Sequence, residues 1–437
     1  MKSSEILMKL WSFRQSGYRL KDEKMRISPL PHYLQEIIEM GACLYFAENA
    51  VDKPKNITFE TVDPSRWKDS TEYLQRLFDF LTDRYIEINF EEVKRGRDSE
   101  LEEIRGKYGV SLFSGGADSY CGSWHLLDKN YNVCLVHTST SKKMQSIARR
   151  VFENFPQDKS FLYEMSDQFI QGQTSPLYPQ LRSTLFLMNS VPLMEKFDVS
   201  EVFIPENGFM MINPPVSELV VFTKATRPEV LFFCQTIFSD YLRKNISILS
   251  PFYKNTKSEI LANYVKRKGI DQTFSCFNYR WGKRKNMCGT CYGCNITRLS
   301  MLALSEKESE NRYEANPFFL ESTPSNEKSR NKLFQYSDFL DMCEKFVLER
   351  NLDPELIDLF DDIQKCYAEL GYQVDIPELM KRFGLDMFVG LRNMFSFSQR
   401  IPEHTVLGKK FFRIVKDSEL TKDIESRSEE LIRIKEK

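Results

Sequence analysis

The sequence has no run of apolar residues near the ~20 that a membrane span needs. Its hydrophobic residues, 41% of 437, are therefore free to build soluble cores, and a prior of about 150 residues per domain allows two or three. The opening stretch Met1–Leu10 has neither a long apolar core nor a cleavage site, which predicts no secretory signal. Charge of one sign is missing as well. The chain carries 61 Lys and Arg against 62 Asp and Glu, a formal −1, so a broad basic face is not expected and direct nucleic-acid binding is not indicated. No Gly-Lys-Ser/Thr closes a glycine-rich loop, which argues against Walker-type hydrolysis for work or motion. No residue stands out as a general base, an absence that chemistry starting from an ionised carboxylate tolerates. Ten cysteines are present, but four cluster at metal spacing and no export signal accompanies them. Reduced thiols in a cytoplasm fit better than disulfides.

What is there centres on Val110-Ser111-Leu112-Phe113-Ser114-Gly115-Gly116-Ala117-Asp118-Ser119. The apolar run reads as a buried strand, and a helical segment follows from Ser119 to Lys129. Two adjacent glycines let the backbone turn without Cβ clashes and gather several N–H groups into one concavity. The helix N-terminus adds about half a positive charge there. Ser114 and Ser119 supply hydroxyls, and Asp118 can hold Mg²⁺ or orient the loop. A Gly-Gly turn alone would be a tight connection. The full string Ser-Gly-Gly-x-Asp-Ser between strand and helix is far more specific, and it resembles the pyrophosphate loop of ATP pyrophosphatases, which cleave ATP between the α and β phosphates to adenylate a substrate.

Three regions emerge, with boundaries at residues 1–105, 106–304 and 305–437. The first, an α+β extension, carries a helical stripe of Leu34, Ile37, Ile38, Gly41, Leu44 and Tyr45 after Pro31. A second stripe, Leu74, Leu77, Phe78 and Leu81, precedes an alternating Ile86, Ile88, Phe90 that reads as a half-buried strand of a small sheet. Trp11, Tyr18 and Trp67 are candidate interface aromatics, with packing the plainer role. From Tyr108 the chain alternates strands (Val110–Phe113, Val133–His137, Phe161–Met165, Val202–Pro205, Ile246–Leu249) with helices near 119–129, 143–155, 182–197 and 228–243. This rhythm predicts an α/β fold with a doubly wound parallel sheet whose ligands sit at the carboxyl ends of the strands. The ends at Ser114–Ser119, His137–Ser141 and Glu206–Asn207–Gly208 are polar or glycine-rich and are expected to converge on one crevice.

His137 ends the second strand, where adenine and ribose lie in such folds, though a packed or capping histidine is the plainer reading. Arg182 opens a helix, poorly placed for the dipole, so it either meets phosphate or sits on the surface. Asn207-Gly208 and Asn213-Pro214-Pro215 punctuate a loop read as a substrate lid. In Thr226-Arg227-Pro228-Glu229 a guanidinium at a helix start either pairs with a substrate carboxylate or phosphate, or is solvated. Thr256 and Glu259 have capping-box spacing and place Lys257 in the first helical turn, facing phosphates or solvent.

Cys276, Cys288, Cys291 and Cys294 form two successive Cys-x-x-Cys steps and a fourth cysteine upstream, with Gly289 and Gly293 for tight turns. Four thiolates favour a structural tetrahedral Zn²⁺, and an iron–sulfur cluster is the alternative. Arg298, four residues on, points back to this site or into the crevice. Residues 305–332, rich in Glu, Ser, Asn, Lys and Pro, read as a linker or an extended wrap, and the remainder as an all-α region. It contains a stripe of Phe339, Met342, Cys343, Phe346 and Val347, and Pro354 opens a further helix with Leu356, Leu359, Phe360 and Ile363. The segment from Leu420 to Lys437, with Asp423–Arg427 and Glu429–Arg433 at i,i+4, reads as a solvated helix.

The loop, the Arg182 helix, Arg227-Pro228-Glu229, the Lys257–Glu259 turn and the four cysteines occur in an order that resembles the 7-cyano-7-deazaguanine synthase (QueC) family over about residues 108–304. The resemblance implies an adenine nucleotide alpha hydrolase-like PP-loop fold, with Ser114, Gly115, Gly116, Ala117, Asp118, Ser119 and His137 on ATP. It implies Asp118, Arg182 and Lys257 as catalytic residues and Glu206, Asn207, Arg227 and Glu229 at the substrate. It also implies Mg²⁺ with the ATP, and a structural Zn²⁺ on the four cysteines. Members adenylate the carboxylate of 7-carboxy-7-deazaguanine, take ammonia to form the amide, and dehydrate it to the nitrile with a second ATP. This chain reads Phe222-Thr223-Lys224-Ala225-Thr226-Arg227-Pro228-Glu229 where those enzymes have Tyr-Pro-Asp-Cys-Arg-Pro-Glu. The missing aspartate leaves base recognition and the final dehydration open. The greater length looks like the QueC-like proteins of bacterial anti-phage operons, the Qat system in particular. That implies a defence role, operon partner proteins and an amine acceptor on one of them. A tRNA-thiolating enzyme and a nucleotide-binding scaffold are the competing readings.

Overall fold

Short runs rich in Val, Ile, Leu and Phe punctuate the middle of the chain, a composition suited to strands covered on both faces. The computed structural model describes residues 30–50, 52–139, 142–166, 180–215, 223–276, 286–307, 312–315, 327–349, 352–397, 408–409, 412–414 and 418–437. Trp11, Tyr18, Ser141 and Phe222 lie outside these residues.

In chain order the elements begin with α1 (His32–Asn49), β1 (Asn56–Thr61), α2 (Thr71–Thr82), β2 (Glu87–Glu92) and β3 (Tyr108–Leu112). Next come α3 (Ala117–Asp128), β4 (Asn132–Ser139), α4 (Lys142–Phe152), β5 (Ser160–Ser166), α5 (Arg182–Met188) and α6 (Val191–Lys196). They continue with β6 (Glu201–Phe203), α7 (Gly208–Ile212), α8 (Pro228–Leu242), β7 (Ser247–Leu249) and α9 (Lys257–Tyr264). The last are α10 (Tyr292–Ala303), α11 (Glu327–Leu348), α12 (Pro354–Glu369), α13 (Ile376–Phe397) and α14 (Ser418–Glu436). Two compact units result: residues 1–115, 122–205 and 223–251 in the first, and 116–121, 206–222 and 252–437 in the second.

The first unit is α/β. Its five-stranded sheet is parallel throughout, in the order β5-β4-β3-β6-β7. The chain winds outward from β3 through β4 to β5 and then fills the other side with β6 and β7. The direction therefore reverses between β3 and β6, and the carboxyl ends of β3, β4 and β6 stand side by side. β1 and β2 form a separate parallel pair joined through α2, whose Leu74, Leu77, Phe78 and Leu81 are buried. Ile86 and Ile88 are buried as the alternation predicts, and Trp67 is a fully buried core residue stacked on Phe90. The stripe of α1 is buried too. Its helix also buries Glu36 and Glu39, which Arg95 approaches at 3.7 and 3.1 Å.

Two expectations need correction here. The helix expected over 182–197 is two helices, because Pro192 lacks the N–H that would continue α5, and the chain restarts at Val191 with Pro at its second position. The strand expected over Val202–Pro205 stops at Phe203.

In the second unit α13 is the central helix, buried along most of its length, and it packs against α10, α11 and α14. Phe383 on α13 stacks on Phe209 of α7 with ring centroids 3.6 Å apart, and Asn393 Nδ2 donates to the Leu302 carbonyl at 2.8 Å. The polar stretch expected to be linker through 332 already turns helical at Glu327, since the first turns of α11 are polar and carry no apolar stripe to announce them. The terminal helix α14 is not simply solvated. Leu420, Ile424, Arg427 and Leu431 are buried along one face. Among the described residues no helix is long and apolar enough to cross a membrane.

Candidate functional site

At the end of β3 the Phe113 N–H still donates to the Val136 carbonyl, and the chain then turns at Gly115. Gly115 has φ +77°, and an added Cβ would sit 3.2 Å from the Ala148 Cα, so the turn needs glycine for both conformation and space. α3 starts two residues later. Ser119 Oγ donates to the Gly116 carbonyl at 3.0 Å, and the Ala117 N–H donates to Ser275 Oγ at 3.3 Å, beside Cys276.

The second unit gathers four of the expected site residues. Lys257 Nζ lies 2.5 Å from Asp118 Oδ2, and Asn207 Nδ2 donates to Asp118 Oδ1 at 3.3 Å and to Glu206 Oε1 at 3.4 Å. Asn207 is fully buried and also caps α7, accepting from the Met210 N–H at 3.1 Å. Gly208 makes this approach feasible. Its N–H donates to the Asn255 carbonyl at 3.0 Å, and a Cβ would fall 2.3 Å from the Tyr253 carbonyl oxygen. Burial and the neighbouring Asp118 charge push the Glu206 carboxyl up to about 8, against the pull of Lys257 and the Asn207 N–H. Asp118 thus faces one ammonium, one amide and a carboxyl that holds its proton near neutral pH.

Lys257 is set by α9. Thr256 is its N-cap, accepting from the Glu259 N–H at 3.3 Å, while Glu259 Oε2 accepts from the Thr256 N–H at 3.0 Å, so the expected capping box is complete. Sequence reasoning missed what holds this box. Glu259 Oε1 also accepts from Arg382 and, at 2.7 Å, from Arg427; Arg427 Nε donates to Asp386 Oδ1 at 2.7 Å, and Asp386 accepts from Thr256 Oγ. Burial would raise Glu259, but Arg427 and Arg382 outweigh it and hold the carboxyl below its usual range.

The first unit holds the remaining candidates. His137 is buried, and its Nδ1 lies 2.8 Å from the Phe113 carbonyl, which fixes the proton of the neutral ring on Nδ1. Nε2 is buried without a hydrogen-bond partner among the described residues. Burial lowers this histidine below its ordinary value. Arg182 opens α5, where Glu48 offsets the misplaced positive charge by accepting the Gln180 and Leu181 N–H groups at 2.6 and 3.0 Å. Arg227 precedes Pro228 at the start of α8. Burial pushes its guanidinium down against the pull of Glu229, and its Nε has no partner among the described residues. His137 thus keeps a buried acceptor, and Arg227 a buried donor, without a partner among the described residues.

Cys276, Cys288, Cys291 and Cys294 are all buried, with their sulfurs within 4.8 Å of one another. The Cys288–Cys294 and Cys276–Cys291 sulfurs are 3.8 and 4.0 Å apart. Zn–S bonds of about 2.3 Å in a tetrahedron require S···S near 3.8 Å, so the set fits a metal such as zinc. Arg298 turns toward this loop: its guanidinium donates to the Gly289 and Ala315 carbonyls at 3.4 and 3.2 Å and covers the Tyr313 ring. Asn295 donates to the Gly289 and Cys291 carbonyls, and Tyr336 OH to the Cys291 carbonyl at 3.2 Å. No protein-family model and no curated protein matches the chain.

Proposed function

We propose that the protein is an ATP-dependent C–N ligase forming AMP and pyrophosphate, with a PP-loop fold, that activates a 7-carboxy-7-deazaguanine-type carboxylate. The observation that carries the reading is the meeting of Asp118, from the Ser-Gly-Gly-x-Asp-Ser turn, with Lys257 of a capped helix start at 2.5 Å. Such a pair suits a phosphate loop: beside the backbone N–H groups the ammonium would balance phosphate charge, and the carboxylate would hold Mg²⁺ or the loop. In the reaction a substrate carboxylate oxygen attacks the α-phosphorus and pyrophosphate leaves. An amine then attacks the activated carbonyl, and AMP departs with the shared oxygen. The loop residues Ser114 to Ser119 bind pyrophosphate, Lys257 and Arg182 balance its growing charge, and His137 takes the adenosine. Glu206, Asn207, Arg227 and Glu229 face the carboxylate substrate and its base.

Four buried cysteines in a closed set leave no position open for chemistry at the metal, which favours structural Zn²⁺ over a thiolation site. The amine is ammonia or belongs to a partner protein of an anti-phage operon. Mass spectrometry of products from the pure protein with ATP, Mg²⁺ and 7-carboxy-7-deazaguanine, with and without operon partners, tests the reading. AMP, pyrophosphate and an amide, a nitrile or a mass gain on a partner support it. Absence of ATP turnover in all these mixtures refutes it in favour of a nucleotide-binding scaffold.

A further inference from the structure

We propose that Arg427, on the terminal helix α14, is a positioning residue for Lys257, so that residues 418–437 belong to the working part of the site. The inference concerns the phosphate-facing lysine and rests on the ligase reading for its consequence in catalysis. Its structural basis is independent of that reading. Arg427 is buried at 3% exposure and spends its guanidinium on three carboxylates. NH2 donates to Glu259 at 2.7 Å, Nε to Asp386 at 2.7 Å and NH1 to Glu430 at 2.6 Å. Glu259 and Asp386 are the two acids that hold the α9 start: Glu259 accepts the Thr256 N–H, and Asp386 accepts the Thr256 hydroxyl. Lys257 is the next residue, 5% exposed, with its ammonium on Asp118.

Arg382 also reaches Glu259, and it donates to the Lys254 carbonyl at 3.0 Å, so the turn before α9 is clamped from both sides. Arg427 alone joins Glu259 to Asp386 among the described ion pairs. Without its charge two buried carboxylates face each other across Thr256, and each competes for protons instead of holding the cap. The backbone of the first turn then loses its fixed geometry, and with it the direction of the Lys257 side chain. A planar two-pronged donor suits this task, and lysine supplies only a point charge in its place.

The test compares Arg427→Met, Arg427→Lys and Asp386→Asn with the parent chain. Hydrogen exchange followed by mass spectrometry reads residues 256–264, and acylation by an N-hydroxysuccinimide ester reads Lys257. Arg427→Met is expected to speed exchange of these amides ~10-fold or more and to raise Lys257 labelling, with Arg427→Lys in between and peptides of α11 and α12 unchanged. Where ATP turnover is measured, kcat falls ~10-fold or more while KM for ATP stays within about threefold. Unchanged exchange and labelling in folded Arg427→Met overturns the proposal. So does loosening spread evenly over α9 to α13 in all three variants. If Arg427→Met does not fold, Arg427→Lys and Asp386→Asn decide on the same readouts. A parent chain without ATP turnover refutes the ligase reading alone, because exchange and labelling still report on the brace.

Discussion

Replacing Lys257 with Met separates the structural weight of the Asp118 pair from its chemical use. The ammonium and carboxylate are 2.5 Å apart, with side chains 6% and 15% exposed. At an effective dielectric near 20 their attraction is about 7 kcal/mol, most of which offsets the cost of taking both ions out of water. Removing one partner leaves Asp118 uncompensated beside Glu206, so the loss is set by a stranded charge and is expected to be about 3–5 kcal/mol. With an m-value near 3 kcal/mol/M this moves the urea midpoint by about 1–1.7 M, measured by far-UV circular dichroism. Asp118→Asn added to Lys257→Met removes the stranded charge and keeps an oxygen for Asn207 Nδ2. The double variant is therefore expected to recover at least about 2 kcal/mol of the loss, through a coupling between residues in contact. ATP-dependent turnover stays absent in both. A double variant no more stable than Lys257→Met refutes the argument, since the cost would then lie in packing of the lysine stem.

Three further outcomes follow from named geometry. Chelation, or Cys288→Ser, is expected to remove one bound metal per chain by elemental analysis and to expose the stretch from Met287 to Ala303 to proteolysis, because a structural zinc site contributes on the order of 10 kcal/mol to local folding. Gly115→Ala forces a side chain into φ +77° against Ala148 and is expected to cost about 1–2 kcal/mol, whereas Gly96→Ala, with nothing within 4 Å, leaves the thermal midpoint unchanged. The two are compared by calorimetry, and equal midpoints would contradict the strained-turn reading. Burial holds folded His137 below its ordinary pKa of 6.5, so the unfolded chain takes the proton first and this residue's contribution to stability is lost as pH falls below 6.5 toward the folded value. The thermal midpoint of His137→Gln is accordingly expected to fall less between pH 7 and pH 5 than that of the parent chain.

The five strands of the larger sheet were legible because each is a short apolar run set between helical patterns, whereas β1, polar and mostly exposed along Asn56–Thr61, gave no such signal and went unpredicted. The four cysteines were legible because metal geometry constrains spacing locally. Asp118 and Lys257 could be named but not joined: 139 residues separate them, and local pattern carries no record of such a meeting. The α14 helix was misread for a related reason. Its charges match one another at i,i+4, yet Arg427 reaches Glu259 and Asp386, 168 and 41 residues away. A signal was present. Leu420, Ile424, Arg427 and Leu431 repeat at helical spacing, and an arginine within such a buried stripe implies acids waiting opposite it.

The charge ledger of this cluster explains why its acids and bases are placed as they are. A lysine in the first turn of a helix works against the dipole, at a cost of about 0.3–1 kcal/mol. The capping glutamate would ordinarily offset that cost, but Glu259 is already neutralised by Arg382 and Arg427, and Asp386 shares Arg427. Lys257 is therefore left with Asp118 as its counter-charge. Because burial and Asp118 hold a proton on Glu206 up to about pH 8, Glu206 adds no negative charge beside the Asp118–Lys257 pair at neutral pH. An anion brought to this pair meets least repulsion while Glu206 keeps that proton, or when a cation enters with it. A magnesium–phosphate pair meets the second condition, and free phosphate depends on the first. Phosphate binding without divalent cation is thus expected to weaken as pH rises above about 8, whereas binding with Mg²⁺ changes little, and isothermal titration at two pH values distinguishes the two cases.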